Sequence, residues 1–180
     1  TDMRERGCLS DDTVVVTVMS NLGFRRAMQE AGITVLDTAV GDRYVLEALE
    51  ADGYSLGGEQ SGHIVLRDLS TTGDGLLSAV QILDLVKRSG RPLADLADDA
   101  MVRLPQVLIN VPIAAAMPDV ADRLADRITQ VESELGDKGR VLLRPSGTEP
   151  VVRVMAEADT EDLARSTAEE LAEAVSALGG

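Results

Sequence analysis

A run of six residues, Thr13 to Val18, consists of valine and threonine alone and constrains the fold more than any other stretch of the chain. β-branched side chains favour extended backbone, and an unbroken run of them indicates a strand buried on both faces. Asn21 can cap a helix that Gly32 ends, and a second short strand is indicated at residues 33–36. Strand, helix and strand within about thirty residues are typical of a βαβ unit, so the sequence predicts a parallel sheet covered by helices.

The pattern after the βαβ unit indicates three more helices. One is capped by Asp42, one follows Asp74, and a short acidic one covers residues 91–99. The second of these carries an apolar face at helical spacing. Its apolar residues are Leu76, Leu77, Val80, Leu83 and Val86. Together with the parallel sheet, these helices predict a three-layer α/β domain.

The composition changes over residues 99–106, which we interpret as a linker between one domain at residues 1–100 and another at residues 101–180. Beyond the linker the order is strand, helix, two strands and helix. This order predicts an α+β domain with two helices on one face of a small antiparallel sheet. The predicted elements are a strand at residues 107–111, a helix at 118–135, hairpin strands at 140–143 and 151–155, and a helix at 160–178.

The charge of the chain is unevenly distributed. The whole chain has a formal net charge of −14, yet residues 138–153 carry four cations and one carboxylate, a net charge of +3. The expected partner of the predicted hairpin is therefore a small anion. Nucleic-acid binding needs a basic face or stacking aromatic side chains, and this acidic chain has one phenylalanine, two tyrosines and no tryptophan. The cations are Lys138, Arg140, Arg144 and Arg153.

The chain shows no targeting signal. No apolar run approaches the roughly 20 residues of a membrane-spanning helix, and no secretory segment opens the sequence. Cys8 is the one cysteine, which excludes an intrachain disulfide and fits a reducing compartment, so we expect a cytoplasmic location. The chain opens with Thr1, and residues 1–7 are typical of the last turns of a helix closed by glycine. We therefore expect a fragment of a longer protein.

The loop of the predicted hairpin, residues 144–150 with the sequence Arg-Pro-Ser-Gly-Thr-Glu-Pro, has the composition of a phosphate-binding loop. Ser146 and Thr148 supply hydroxyl donors, and Gly147 is expected to let the backbone turn so that its N–H groups converge on an anion. Arg144 can hold a phosphate with two hydrogen bonds. The alternative is a Pro/Gly hairpin with incidental arginines, and the residues by themselves leave it open.

A second polar loop, residues 57–63, contains the single histidine of the chain. If this loop is extended, alternation places Glu59, Ser61 and His63 on one side of it. A carboxylate, a hydroxyl and an imidazole at one edge suit a polyhydroxylated ligand. A nucleophilic triad is disfavoured because no third group orients the base, whereas a Gly-rich turn with a surface histidine remains an alternative.

Asp42 and Arg43 lie where a strand ends and a helix begins, a position at which α/β sheets gather ligands. The alternative is a helix cap followed by a solvated arginine. Asp74 resembles another helix cap, and the chain lacks the alternating carboxylates of a calcium loop. The sequence therefore predicts no metal site.

Three segments together resemble the α-D-phosphohexomutases, and among them the phosphoglucosamine mutases. They are the Arg-Pro-Ser-Gly-Thr-Glu-Pro loop with Arg153 after it, the Gly-Glu-Gln-Ser-Gly-His loop at residues 58–63, and Gly-Asp-Arg-Tyr-Val at residues 41–45. The resemblance covers essentially the whole chain. It implies an N-terminally truncated third domain and a complete fourth domain of a four-domain enzyme.

The resemblance also implies roles for individual residues. Glu59 and Ser61 are expected to contact sugar hydroxyls, and Arg43 is expected to contact the substrate. His63 is expected to lie close to the reacting hydroxyl and to help proton movement. The residues implied to bind phosphate are Arg144, Ser146, Gly147, Thr148 and Arg153.

In the phosphohexomutases a phosphoserine and a Mg²⁺ ion held by three aspartates carry the reaction, and both lie outside the third and fourth domains. This sequence contains neither an Asp-x-Asp-x-Asp spacing nor a Ser-His-Asn-Pro-like loop. The resemblance therefore implies a part that recognises a hexosamine phosphate, needs the missing N-terminal domains, and is inactive alone. The implied reaction interconverts glucosamine 6-phosphate and glucosamine 1-phosphate through a bisphosphorylated intermediate, toward cell-wall precursors.

Two alternatives to this reaction stay open. A phosphomannomutase/phosphoglucomutase performs the same chemistry on a neutral sugar, and those relatives commonly carry asparagine where this chain has Gly147. The chain could also be a stand-alone sugar-phosphate-binding module. A further partner implied by the resemblance is a diadenylate cyclase, which phosphoglucosamine mutases restrain in some bacteria.

Overall fold

The computed structural model of this protein describes residues 1–147 and 149–179 and divides the chain into two compact units. The first unit is Thr1–Arg103 and the second is Leu104–Gly180. None of the helices in these described ranges is both long and apolar enough to span a membrane.

The first unit contains four strands and five helices within its described residues. The strands are β1 (Thr13–Thr17), β2 (Thr34–Thr38), β3 (Leu56–Gly58) and β4 (Ile64–Leu66). The helices are α1 (Asp2–Glu5), α2 (Leu22–Glu30), α3 (Asp42–Asp52), α4 (Gly75–Ser89) and α5 (Leu93–Ala100), and a 3₁₀ turn covers Ser10–Asp12.

The four strands form one sheet in the order β2-β1-β3-β4. β1 pairs in parallel with β2 and with β3, whereas β3 and β4 form an antiparallel hairpin. The predicted βαβ unit is therefore confirmed as β1-α2-β2, and Asn21 caps α2 by accepting a hydrogen bond from the Gly23 N–H. Because β1, β2 and β3 run in parallel, their carboxyl ends meet at one edge of the sheet.

The sheet of the first unit is covered on both faces, which confirms the predicted three-layer architecture. Val14 and Val16 point into one apolar cluster with α1 and α2, and Val15 points into another with α3. This alternation follows from the period of two along a strand. It explains why β1 needs β-branched residues at consecutive positions, since both of its faces are buried.

The predicted helix after Asp74 is confirmed as α4, but its apolar face is not buried. No residue of α4 is fully buried, and Leu76, Val80 and Leu83 are 83%, 59% and 65% exposed. Both ends of this helix make side-chain hydrogen bonds. Asp74 caps it, and Arg88 near its last turn donates two hydrogen bonds to the Asp2 carboxylate, at 2.8 and 3.0 Å.

The second unit contains three strands and three helices in its described part. The strands are β5 (Gln106–Pro112), β6 (Gly139–Pro145) and β7 (Val151–Ala158). The helices are α6 (Val120–Arg123), α7 (Ala125–Leu135) and α8 (Glu161–Gly179), and a 3₁₀ turn covers Gly136–Lys138. The prediction of one continuous helix at residues 118–135 is wrong, because Leu124 leaves helical geometry and buries its side chain between α6 and α7.

The strands of the second unit form an antiparallel sheet in the order β5-β7-β6, as predicted for an α+β domain. One face of this sheet packs against the helices. On the central strand its residues are Val152, Val154, Ala156 and Ala158, and all four are fully buried. The other face carries the residues between them, and the charged side chains of the hairpin lie on that face.

Candidate functional site: a paired-arginine hairpin and a turn at the sheet edge

Two arginines lie side by side at the loop end of the hairpin. Arg144 of β6 is directly opposite Arg153 of β7, and Asn110 of β5 is opposite Arg153 on its other side. Residues that face each other across antiparallel strands share a face, so the three side chains form one cross-strand row. We call this the loop-end row.

The loop-end row brings like charges together in a partly buried position. The Nε atoms of Arg144 and Arg153 are both buried, and neither has a hydrogen-bond partner among the residues that the structure describes. Burial, followed by the neighbouring Arg153 charge, lowers the pKa of Arg144 below its usual value. The Nη2 of Arg153 donates to Glu149 at 3.1 Å, so part of that charge is balanced. Two adjacent guanidinium groups with unused donors are suited to a doubly charged anion.

The loop that joins the two strands is held by short-range hydrogen bonds. The Ser146 N–H donates to the Val151 carbonyl at 2.9 Å, and the Glu149 N–H lies 3.3 Å from the Ser146 hydroxyl. The φ of Gly147 is not in the left-handed region and an added Cβ would meet nothing within 4 Å, so neither φ nor space requires glycine there, and its role in binding phosphate stays a prediction. Thr148, also predicted to bind phosphate, lies outside the described residues.

Arg140, counted among the cations of the hairpin, serves a different purpose. It is opposite Glu157, and its Nε donates to the Glu157 carboxylate at 2.6 Å. Gln106, opposite Glu157 on the other side, donates to the second oxygen at 2.6 Å. Glu157 is fully buried. Arg140 is therefore a structural partner of a buried carboxylate, and we call this second set of three residues the buried row.

Sequence reasoning missed Glu157, although a signal for it exists. Once Arg144 is opposite Arg153, each step back along β6 corresponds to one step forward along β7. Four steps lead to Arg140 and Glu157. Opposite charges at paired positions of an antiparallel hairpin indicate a cross-strand ion pair.

Residues 59–63 form the turn between β3 and β4 in the first unit. The Glu59 N–H donates to the His63 carbonyl at 2.9 Å, the Gly62 N–H donates to the Glu59 carbonyl at 3.0 Å, and Gly62 has a φ of +93°. The loop is therefore not extended, and the prediction that alternation aligns Glu59, Ser61 and His63 on one side does not apply. Instead Glu59 and His63 close the turn, and Ser61 is exposed at its tip.

The turn is fixed to the edge where the parallel strands end. The Glu59 carboxylate accepts a hydrogen bond from the Gly41 N–H at 3.0 Å, directly before α3. The fully buried Thr17, at the end of β1, donates its hydroxyl to the Gln60 side chain at 3.1 Å. Segments following β1, β2 and β3 therefore meet at the carboxyl edge, where ligands of α/β sheets bind.

Asp42 differs from its sequence-based assignment as a helix cap, whereas the substrate contact of Arg43 stays a prediction. The N-cap of α3 is Gly41, and Asp42 is the first helical residue, with its carboxylate accepting the Arg43 N–H at 2.8 Å. The Arg43 guanidinium donates to Glu47 at 2.8 Å, an interaction that raises the pKa of Arg43, and it lies 5.5 Å from the centre of the Tyr44 ring. The Arg43 guanidinium therefore lies against the surface of α3, beside Glu47 and Tyr44.

His63 lies against the same edge. Its Nε2 is buried, lacks a hydrogen-bond partner in the described part of the chain, and is 3.9 Å from the Asp42 carboxylate. No group of three or more His, Cys, Asp or Glu side chains able to hold a metal ion occurs within residues 1–147 and 149–179. Asp74 is occupied as the cap of α4, since it accepts the N–H groups of Leu76 and Leu77.

Comparison with known families matches both units. A family described as phosphoglucomutase/phosphomannomutase, α/β/α domain III, matches residues 1–104. The phosphoglucomutase/phosphomannomutase C-terminal domain matches residues 108–174.

Individual relatives match along nearly the whole chain. The phosphoglucosamine mutase of Frankia alni is 61% identical over 176 residues, which are 97% of this chain and 38% of that protein. The crystal structure of Aspergillus fumigatus N-acetylphosphoglucosamine mutase in complex with GlcNAc-6P and magnesium superposes with a TM-score of 0.77. It is 18% identical and covers 99% of this chain, which spans 41% of that one. An N-acetylglucosamine-phosphate mutase in its substrate complex is 25% identical, with a TM-score of 0.70, over 92% of this chain and 38% of that one.

Proposed function

Because the chain belongs to the phosphoglucomutase/phosphomannomutase family, with its domain III and its C-terminal domain, we propose that it is the C-terminal part of a phosphoglucosamine mutase. Such an enzyme interconverts glucosamine 6-phosphate and glucosamine 1-phosphate. The name and 61% identity of the Frankia alni relative favour the amino sugar over a neutral hexose. The chain spans about 38% of the length of that relative, and in this proposal the complete reaction belongs to a longer protein that contains the chain.

The observation that carries the proposal is the loop-end row. Arg144 and Arg153 present two cations, and their buried Nε atoms lack partners in the described ranges. A phosphate dianion supplies the acceptors and the charge that this pair needs. In a reaction through a bisphosphorylated sugar, one such clamp holds the phosphate that is not reacting, and it receives the other phosphate after the intermediate turns over.

The turn at residues 59–63 recognises the sugar in this proposal. One oxygen of Glu59 accepts the Gly41 N–H. A carboxylate has two oxygens and several acceptor positions, so Glu59 can still accept a sugar hydroxyl. Ser61 at the tip can donate or accept, and the His63 imidazole holds or moves a proton at Nε2. The Nε of Arg43 is occupied by Glu47, and its two terminal NH2 groups are available to contact the substrate.

The remaining parts of the chemistry belong to the rest of the enzyme. The described residues offer no carboxylate cluster that fits Mg²⁺, so the metal that supports phosphoryl transfer would be held elsewhere, together with the phosphoserine. The residues of this chain bind phosphate and sugar in this proposal without contacting the metal. We propose that the complete enzyme works in the cytoplasm and supplies amino-sugar phosphates for cell-wall precursors, and that this chain alone is inactive.

An NMR titration tests both half-sites at once. The ¹⁵N-labelled chain is titrated in parallel with glucosamine 6-phosphate, glucose 6-phosphate and inorganic sulfate. We expect the Ser146 and Gly147 amide signals to shift with all three ligands, and the Glu59 and Ser61 signals to shift with the two sugars only.

The same titration separates the alternatives. Tighter binding of glucosamine 6-phosphate supports the amino-sugar mutase, whereas equal affinity for the two sugars favours a phosphomannomutase/phosphoglucomutase. Unchanged signals at residues 144–153 with every ligand would contradict the phosphate clamp.

A further inference from the structure

The His63 imidazole packs directly on a glycine that precedes α4. A Cβ added at Gly73 would overlap the ring of His63, clashing with Cε1 and Nε2 and lying 2.8 Å from Nδ1. Real Cβ atoms do not approach other heavy atoms so closely, so a side chain at this position displaces the ring or the backbone. The φ of Gly73 is not in the left-handed region, so backbone conformation does not require glycine here.

The backbone next to Gly73 is fixed. Asp74 caps α4 with one carboxylate oxygen, which accepts the Leu76 N–H at 2.8 Å and the Leu77 N–H at 3.0 Å. Gly73, on which the imidazole rests, therefore directly precedes a capped helix start.

The imidazole also lies near the start of α3. The Nε2 of His63 is 3.9 Å from one oxygen of Asp42, and the other oxygen accepts the Arg43 N–H at 2.8 Å. The Asp42 carboxylate is thus oriented by the backbone before it meets the ring. His63 is therefore close both to the segment before a capped helix and to an oriented carboxylate.

We propose that Gly73 is a positioning residue, whose missing side chain sets the His63 imidazole beside Asp42 at the edge that receives the sugar. The inference rests on the proposed function for the sugar only; the placement of the ring stands on geometry. It makes the segment between β4 and α4 part of the binding site in addition to its role as a helix cap. A larger residue at position 73 shifts the ring and with it Nε2.

The chain offers a matched control, because Gly75 is two residues away at the first position of α4 and an added Cβ there meets nothing within 4 Å. The single histidine gives one imidazole pattern in a long-range ¹H–¹⁵N spectrum. We expect Gly73→Ala to shift the His63 ring signals and Gly75→Ala to leave them unchanged. Ring signals of wild-type position in Gly73→Ala overturn the proposal.

Ligand affinities test whether the position of the His63 ring matters for binding. Gly73→Ala is expected to bind glucosamine 6-phosphate about threefold to tenfold more weakly, the factor expected from one misplaced hydrogen bond. Its affinity for inorganic sulfate should be unchanged, and Gly75→Ala should bind both as the wild type does. Wild-type affinity for the sugar phosphate in Gly73→Ala would contradict a role for the ring position in binding.

A double-mutant cycle covers the case in which Gly73→Ala is unstable. The free energy of unfolding lost on Gly73→Ala should largely disappear when the same change is made in a His63→Ala background, because the clashing ring is gone. An equal loss with and without the imidazole means that Gly73 acts on the backbone, and the proposal is wrong. If the wild type binds no sugar phosphate, the proposed function fails, whereas the ring signals and the cycle still decide the position of His63.

Discussion

The loop-end row and the buried row lie on the same face of one antiparallel sheet, four residues apart along the hairpin, and they treat their arginines in opposite ways. In the buried row Arg140 meets the fully buried Glu157 at 2.6 Å, and Gln106 completes the carboxylate. In the loop-end row Arg144 meets another cation, Arg153, and burial lowers its pKa. The first row is complete within the chain, and the second gains from an added anion.

The difference shows that strand register, by choosing the cross-strand partner of each arginine, separates the arginine that pairs with a buried carboxylate from the arginine available to an anion. Both arginines belong to β6, and both lie on the face opposite the apolar residues Val152, Val154 and Ala156. Their cross-strand partners differ in charge, so one position satisfies a carboxylate and the other accumulates positive charge. Two adjacent cations, as in the loop-end row, lower the stability of the fold unless an anion binds between them. Such stored strain is common at binding sites.

The largest effect is expected when the buried row is broken. Arg140→Ala leaves the Glu157 carboxylate buried without its cation and should lower the free energy of unfolding by about 3–5 kcal/mol. Urea unfolding measures this change. A double variant with methionine at both positions should recover most of the loss, because no lone charge remains. A change within about 0.5 kcal/mol for Arg140→Ala would mean that the rows do not differ as described.

A smaller effect, in binding rather than in stability, is expected in the loop-end row. Arg144→Ala should weaken phosphate binding by about 1.5–3 kcal/mol, because a charge-assisted hydrogen bond is lost. Its free energy of unfolding should not fall, since the like-charge contact with Arg153 is removed. Calorimetric titration with inorganic phosphate measures the affinity.

Lys138→Ala is the control for Arg144→Ala. It removes the same charge from the exposed far end of the hairpin and should leave phosphate affinity nearly unchanged. Equal weakening by both variants would show that net charge, and not the arginine row, attracts the anion.

The smallest effect is expected at an exposed ion pair of similar geometry. Arg88 donates two hydrogen bonds to Asp2, and Arg88→Ala should lower the free energy of unfolding far less than Arg140→Ala does, because solvent screens the pair. The hydrogen bond from Arg88 is the main cause that lowers the pKa of Asp2 below its ordinary value of 3.8. A depressed carboxyl pKa stabilises the fold above the unfolded-state value and loses that contribution as the pH falls through the folded-state value.

The difference in unfolding free energy between wild type and Arg88→Ala should therefore be present at pH 7 and shrink below pH 3.8. Unfolding experiments at several pH values test this. A loss as large as that of Arg140→Ala would mean that burial is not what separates the strong pair from the weak one.

Much of the fold could be predicted because its signals are local. The valine and threonine run indicated a buried strand, apolar spacing indicated α2 and α4, and capping and acidic residues indicated the start of α8. The break at Leu124 had no such signal, because the residue is apolar and keeps its place in the buried stripe while its backbone leaves the helix. The exposure of Leu76 and Leu83 was equally hidden, since a stripe of apolar residues does not say what packs on it.

The two candidate sites also differ in how far local sequence signals specify them. The sequence by itself placed Arg144 and Arg153 on one hairpin, whose short loop limits the register, and the structure extends β6 to Pro145 so that the two arginines are opposite each other. The tertiary structure alone decided the surroundings of His63. Asp42 and Gly73 reach the imidazole from separate segments, brought together because β3 joins the sheet beside β1 and α4 follows β4. Contacts that depend on strand order join segments far apart in the sequence and leave no local pattern. Contacts across a single hairpin follow from the spacing of residues on either side of its loop.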